Sequence, residues 1–190
     1  MNRFETDVVG QLREASRRFA ALEAEAPRIA AAAELLIECF RAGNKVIFCG
    51  NGGSAADSQH LAAEFMGRYR RDRKPLPSLS LTVDTSALTA IGNDYGFEHV
   101  FSRQLRGIGV RNDVLVGIST SGNSANVVHA FGVAKEIGVR RIALTGQGGG
   151  KLADLADLAL KVPSTRTNEI QEMHIAIGHM ICGFVEDAVC

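Results

Sequence analysis

The chain has 190 residues, enough to bury a core of ordinary size in one domain. Its 21 Lys+Arg balance its 21 Asp+Glu, which excludes the basic surplus that general nucleic-acid or anionic-membrane binding needs. No apolar run reaches membrane-span length, the charged N-terminus has no signal-peptide apolar region, and Cys39, Cys49, Cys182 and Cys190 show no CxxC spacing. A reduced, cytoplasmic protein is expected.

Phe4, Val8, Leu12, Ala15, Phe19 and Leu22 recur at three- and four-residue spacing, which predicts an amphipathic helix over 2–24. Pro27, well suited to a helix start, opens a second, alanine-rich helix that runs to about Arg41 and stops at Gly43-Asn44. Two helices before any strand exceed what a small sheet needs for cover. Residues 1–42 are therefore expected to form a helical extension packed partly on neighbouring subunits.

From Lys45 onward short apolar runs alternate with helical segments. Strands are expected at Lys45–Cys49, Leu79–Val83, Asp113–Ile118, Arg141–Thr145 and Leu158–Val162. Helices are expected at Ala55–Tyr69, Thr85–Ile91, Val100–Arg106, Ala125–Ile137, Lys151–Leu155 and Asn168–Val189, with loops at 70–77 and 92–96 and a flexible turn at Gly146–Gly150. This alternation implies βαβ units with right-handed crossovers. The expected fold is α/β, a flavodoxin-like three-layer αβα sandwich with a five-stranded parallel sheet. In such sheets ligands bind beyond the carboxyl ends of the strands.

The first of those ends reads Cys49-Gly50-Asn51-Gly52-Gly53-Ser54, followed by a helix with His60 and Glu64 one turn apart. Residues i and i+4 share a helix face, so this imidazole and carboxylate suit either a metal site or acid/base chemistry. The third end is Ser119-Thr120-Ser121-Gly122-Asn123-Ser124, four hydroxyls at a helix start. One such residue makes a cap; four make an anion site, and a phosphate monoester fits it. Gly50–Ala55 has alanine where a dinucleotide fingerprint needs its third glycine, and Gly146–Lys151 lacks the P-loop spacing, so neither is a nucleotide signature.

The last helix opens with Asn168-Glu169-Ile170-Gln171-Glu172-Met173-His174 and continues through His179. Gln171 and His179 are separated by about 12 Å along a helix axis and roughly 80° around it. His174 is the nearer helical neighbour of Gln171, and spacing alone does not choose between the two histidines. His99 and His129 have no partner at useful spacing and are expected at the surface. The run Arg68–Lys74 is expected to be a solvated loop, since Tyr69 is its sole aromatic.

Together with Gly67-Arg68-Tyr69-Arg70, Gly92-Asn93-Asp94, Phe101-Ser102-Arg103-Gln104 and Ile170–His174, these stretches resemble the phosphoheptose isomerases, which are sugar-isomerase (SIS) domain proteins. The motifs stand in the family's order and cover nearly the whole chain, so the resemblance implies a single SIS domain over 1–190. It also implies conversion of sedoheptulose 7-phosphate to D-glycero-D-manno-heptose 7-phosphate, the first step of activated-heptose synthesis. A homotetramer with active sites at subunit interfaces is implied as well.

Carried over residue by residue, the resemblance makes His60, Glu64, Gln171 and His179 ligands of a zinc ion. It gives sugar-phosphate contacts to Asn51, Gly52, Gly53, Glu64, Asn93, Asp94, Ser119, Thr120, Ser121, Ser124 and Gln171. Isomerisation through an enediol needs a base at carbon and a proton shuttle between oxygens. Glu64 suits the first task and His179 the second, with Asp94 assisting ring opening. One departure stands out: many relatives carry an acidic residue just before Ile-Gln-Glu, whereas Ser164-Thr165-Arg166-Thr167-Asn168 has none. The alternatives are a non-catalytic SIS-domain regulator of the DiaA type, which binds the replication initiator, and an isomerase of another sugar phosphate.

Overall fold

The structure, a computed structural model, describes residues 2–190. Helix α1 (Arg3–Ala21) is opened by a capping box between Asn2 and Glu5 and is joined by a 3₁₀ turn to α2 (Ala26–Arg41). There follow β1 (Val46–Gly50), α3 (Gly53–Met66), β2 (Ser78–Ser80), α4 (Thr85–Tyr95), α5 (Val100–Ile108) and β3 (Val114–Ser119). Helix α6 (Ala125–Ile137), β4 (Arg140–Thr145), α7 (Gly150–Leu155), β5 (Leu158–Lys161) and α8 (Thr167–Val189) complete the chain.

All strand pairs are parallel, in the order β2-β1-β3-β4-β5. This is the flavodoxin-like order, and its topological switch point lies between β1 and β3. Alternation along each strand separates two cores. Val46 and Phe48 of β1 face Leu36, Phe65, Ile177 and Ile181 of α2, α3 and α8, whereas Ile47 and Cys49 face Phe101, Leu105, Phe131 and Leu152 of α5, α6 and α7. The expected α/β sandwich is therefore present. Helix α1 buries none of its residues and leaves Phe4, Val8 and Leu12 exposed.

Three local expectations are corrected. The stretch 92–96 is not a loop: α4 continues through Asn93 and Asp94 to Tyr95, and Gly96, at φ 94°, stops it. Gly146–Gly150 is not merely flexible, because Gly146 N–H donates to Thr120 O (3.1 Å) and Gln147 N–H to Ser164 O (3.0 Å). Nor is the whole of Arg68–Lys74 solvated: the Arg73 side chain is only 4% exposed and pairs with Glu186, 1% exposed.

Helices α3 and α8 lie side by side and run in the same direction. Gln171 meets Gly53, and Gly178 meets Leu61, so closely that a methyl group on Gly178 would stand 2.5 Å from a Leu61 methyl. These two glycines let the helices approach, and the approach brings His179 opposite His60.

Candidate active site

The site forms at the carboxyl ends of β1 and β3, where the switch point opens a crevice. Gly52, at φ 55°, turns the chain out of β1 into α3, and Gly53 lies tight against the Gln171 amide, whose Nε2 would stand 2.4 Å from an added methyl unless the Gln171 side chain moved. Neither Gly52 before α3 nor Ser124 before α6 caps its helix with a side chain. Ser124 Oγ instead pairs with Ser119 Oγ at 2.8 Å. Two helix N-termini with N–H groups available to an anion therefore face one edge of the sheet.

A reciprocal amide pair, Asn51 to Asn126 at 2.8 Å in both directions, ties the glycine turn to the hydroxyl loop. The hydroxyl loop is in turn fixed to the turn after β4. Asn123 N–H donates to Ser121 Oγ, Lys151 N–H to Asn123 Oδ1, and Gly122, at φ 66°, packs directly on the Gly149 carbonyl. Thr120 and Ser124 are half-buried, Ser121 is exposed and Ser119 is buried.

Further along the α3–α8 seam three side chains converge. His60 Nε2 lies 2.8 Å from His179 Nε2 and 3.1 Å from Glu64 Oε1. Their ligand atoms all fall within 4.8 Å of one another, and this is the one such His/Cys/Asp/Glu group among the described residues. Two ring nitrogens this close share either a proton or a cation, and two imidazoles with one carboxylate are donor types that zinc accepts. The second Glu64 oxygen has no hydrogen-bond partner among the described residues.

The structure also decides between the two histidines of α8. His174 is fully buried, and neither ring nitrogen has a hydrogen-bond partner among the described residues. Burial pushes its pKa down from 6.5 to about 4, opposed in part by the Thr145 backbone, which stands near the ring without making a hydrogen bond of normal geometry. His174 is thus a neutral core residue, while His179 reaches the cluster. Gln171 stands higher on the same seam, with its amide against Gly53.

A stability consequence follows for His174. Its folded pKa lies below its ordinary value, so between pH 6.5 and 4 the unfolded chain takes up a proton that the folded one refuses. Stability contributed by neutral His174 is intact above pH 6.5 and falls as pH drops towards 4, by up to about 3 kcal/mol. Urea unfolding at pH 7.5 and pH 5 should show this loss, and His174→Leu should shrink it.

Asn93 and Asp94 lie apart from the cluster, exposed on the last turn of α4 and bonded to each other at 2.8 Å. His99 and His129, expected to be unpartnered, form a tilted ring pair with centroids 5.0 Å apart. Sequence reasoning missed three contributors. Asn126 carries no signal beyond its place at a helix start. Asp57 lies three residues before His60, on the same face of α3. Its buried Oδ2 is unpartnered among the described residues; desolvation raises its pKa and the nearby His60 opposes this. Tyr69 stacks on His179 with ring centroids 5.8 Å apart, a contact with no local sequence signature.

The SIS-domain family model matches residues 12–146. The phosphoheptose isomerase of Rhodospirillum rubrum is 62% identical over 165 residues, covering 87% of this chain and 88% of that one. The chain belongs to the SIS-domain phosphoheptose isomerases. The Campylobacter jejuni phosphoheptose isomerase is 57% identical over 84% of this chain and 86% of its own. The solved phosphoheptose isomerase GmhA of Neisseria gonorrhoeae superposes with a TM-score of 0.91 at 47% identity, over 97% of this chain and 99% of that one. That of Francisella tularensis gives 0.92 at 34% identity, over 98% and 100%. In this isomerase no helix among the described residues is long and apolar enough to cross a membrane.

Proposed function

We propose that the His60–Glu64–His179 cluster is the proton-transfer centre of an aldose–ketose isomerase. It converts D-sedoheptulose 7-phosphate to D-glycero-D-manno-heptose 7-phosphate, the first step towards an activated heptose. One observation carries this reading: three groups able to move protons or bind a cation meet at one point, in a chain that also carries a hydroxyl loop suited to a phosphate at the start of α6. The chain's membership in the phosphoheptose isomerases supports it.

The reaction moves a hydrogen from C1 to C2 through an enediol. Glu64 takes the C1 proton with the oxygen that His60 does not engage and returns it at C2. His179 passes a proton between O1 and O2, and Asp94 assists ring opening. Ser119, Thr120, Ser121 and Ser124 hold the phosphate with the N–H groups at the start of α6. Asn51, Gly52, Gly53, Asn93, Asp94 and Gln171 orient the sugar, with the glycines letting it approach the backbone. His60, Glu64 and His179 would hold zinc by donor type, with Gln171, implied by the family resemblance, as a fourth ligand, and a Glu64 or His179 engaged by the metal would not be free to move a proton. When bound, zinc polarises substrate oxygens and stabilises charge that develops on them.

Residues 1–190 form one SIS domain in this reading. The exposed apolar stripe of α1 favours packing of residues 1–42 on neighbouring subunits of a homotetramer with interfacial active sites. The protein acts in the cytoplasm, without nucleic-acid or membrane partners. A non-catalytic regulator would have no use for the intact cluster, which favours the enzyme.

Incubation with sedoheptulose 7-phosphate, followed by NMR, should show the aldose. Absence of turnover with and without added zinc, alongside binding to a replication initiator, would transfer the assignment to the regulator. Turnover confined to a different ketose phosphate would reassign the substrate.

A further inference from the structure

His179, the α8 member of the cluster, is also held by a residue outside it. His60 meets the His179 ring edge-on, with centroids 5.0 Å apart, and Tyr69 covers it nearly face-on, at 5.8 Å and an interplanar angle of 25°. His60 belongs to the cluster; Tyr69 does not. Tyr69 lies in the irregular segment after α3, which has no ladder to fix it.

That segment is fixed instead by one buried carboxylate. Glu186 of α8 accepts N–H bonds from Tyr69 (3.1 Å), Arg70 (2.8 Å) and Arg71 (3.1 Å) and a fourth from Arg73 Nε (3.1 Å). Burial pushes the Glu186 carboxyl pKa upward, but these backbone N–H groups and Arg73 outweigh it and hold the pKa below the ordinary value. Arg73 also donates to carbonyls at the end of α3, among them Phe65 O (2.7 Å) and Glu64 O (2.8 Å), and to its neighbour Lys74 O. The Arg70 guanidinium lies over the Tyr69 ring, 5.0 Å from its centroid. One buried ion pair therefore locks the backbone that carries Glu64 and the loop that carries Tyr69. A buried pair is weak evidence of a gain in stability, so a role in placing the site accounts for it better.

We propose that Tyr69 is the positioning residue for His179, and that the Glu186–Arg73 pair acts through it. The Tyr69 face fixes the plane of the imidazole so that Nε2 points at His60 and Glu64. The inference rests on the reading that His179 belongs to the reacting cluster. Stacking is the operative property, so Phe should replace Tyr69 and Leu should not.

The test measures zinc affinity, by competition with a chromophoric chelator, together with kcat and KM for sedoheptulose 7-phosphate. Tyr69→Leu should lower zinc affinity and kcat by about 10–100-fold each, the usual effect of losing a supporting group around a metal ligand. KM should change little, and Tyr69→Phe should restore both quantities. Wild-type affinity and kcat in Tyr69→Leu, or an equal fall in Tyr69→Phe, would overturn the inference. His179→Gln serves as the separate control: if it retains activity, the assignment of the cluster fails; if it alone loses activity, only the role of Tyr69 fails. Glu186→Gln should reproduce the Tyr69→Leu defect where it folds, and the Tyr69 variants decide the matter where it does not.

Discussion

Replacing Glu64 by Gln is expected to lower kcat for sedoheptulose 7-phosphate by roughly 10²–10⁴-fold, the share commonly supplied by a placed general base. Gln keeps the shape of the side chain and can still accept from His60, which lies 3.1 Å from Oε1. It cannot take a proton from carbon. The side chain is 22% exposed, so the fold should tolerate the change. Steady-state kinetics with circular dichroism as a folding check measures this directly. A folded Glu64→Gln protein within tenfold of wild-type turnover would remove Glu64 from the chemistry.

Gly122→Ala should damage both the fold and phosphate binding. The added methyl would stand 1.9 Å from the Gly149 carbonyl oxygen, a backbone atom that cannot swing aside. Gly122 also has φ 66°, a conformation that side chains rarely adopt. Strain and overpacking together predict a loss of about 2–6 kcal/mol. If the loop shifts to make room, Ser121 and Ser124 lose their register on α6 and KM rises. Gly148→Ala, where nothing lies within 4 Å, is the control and should be neutral. Thermal unfolding and KM for the two variants give the comparison.

These two variants probe parts of the site that differed in legibility. Ser119–Ser124 and the His60/Glu64 spacing are local features, readable because a helix start and an i, i+4 pair each lie within a few residues. The α6 bounds were also readable, since Ser124 precedes the helix and Gly138, at φ 78°, closes it. At 92–96 the Gly-Asn-Asp run imitated a turn, but the residues tolerate helix and Gly96 makes the actual stop. The eight-residue gap between Gln171 and His179 persists in the structure: on α3, which runs parallel beside α8, Gln171 meets Gly53 and His179 meets His60, seven residues on and about 10 Å further along the axis. The Tyr69–His179 stack, the Asn51–Asn126 pair and the Arg73–Glu186 bridge join residues 75 to 113 positions apart. Nothing local announces such contacts. All four cysteines are free; Cys39, Cys49 and Cys182 are buried and Cys190 is exposed, and burial pushes the Cys49 and Cys182 thiols up to about 12.

The most direct test of the cluster compares the two histidines of α8 in one assay. Conversion of sedoheptulose 7-phosphate is followed by NMR for His179→Gln and His174→Leu beside the wild-type protein. The geometry predicts that His179→Gln forms no detectable aldose, while His174→Leu, which exchanges a neutral and unpartnered core imidazole for an apolar side chain, retains turnover. Turnover in His179→Gln together with its loss in a folded His174→Leu protein would contradict it.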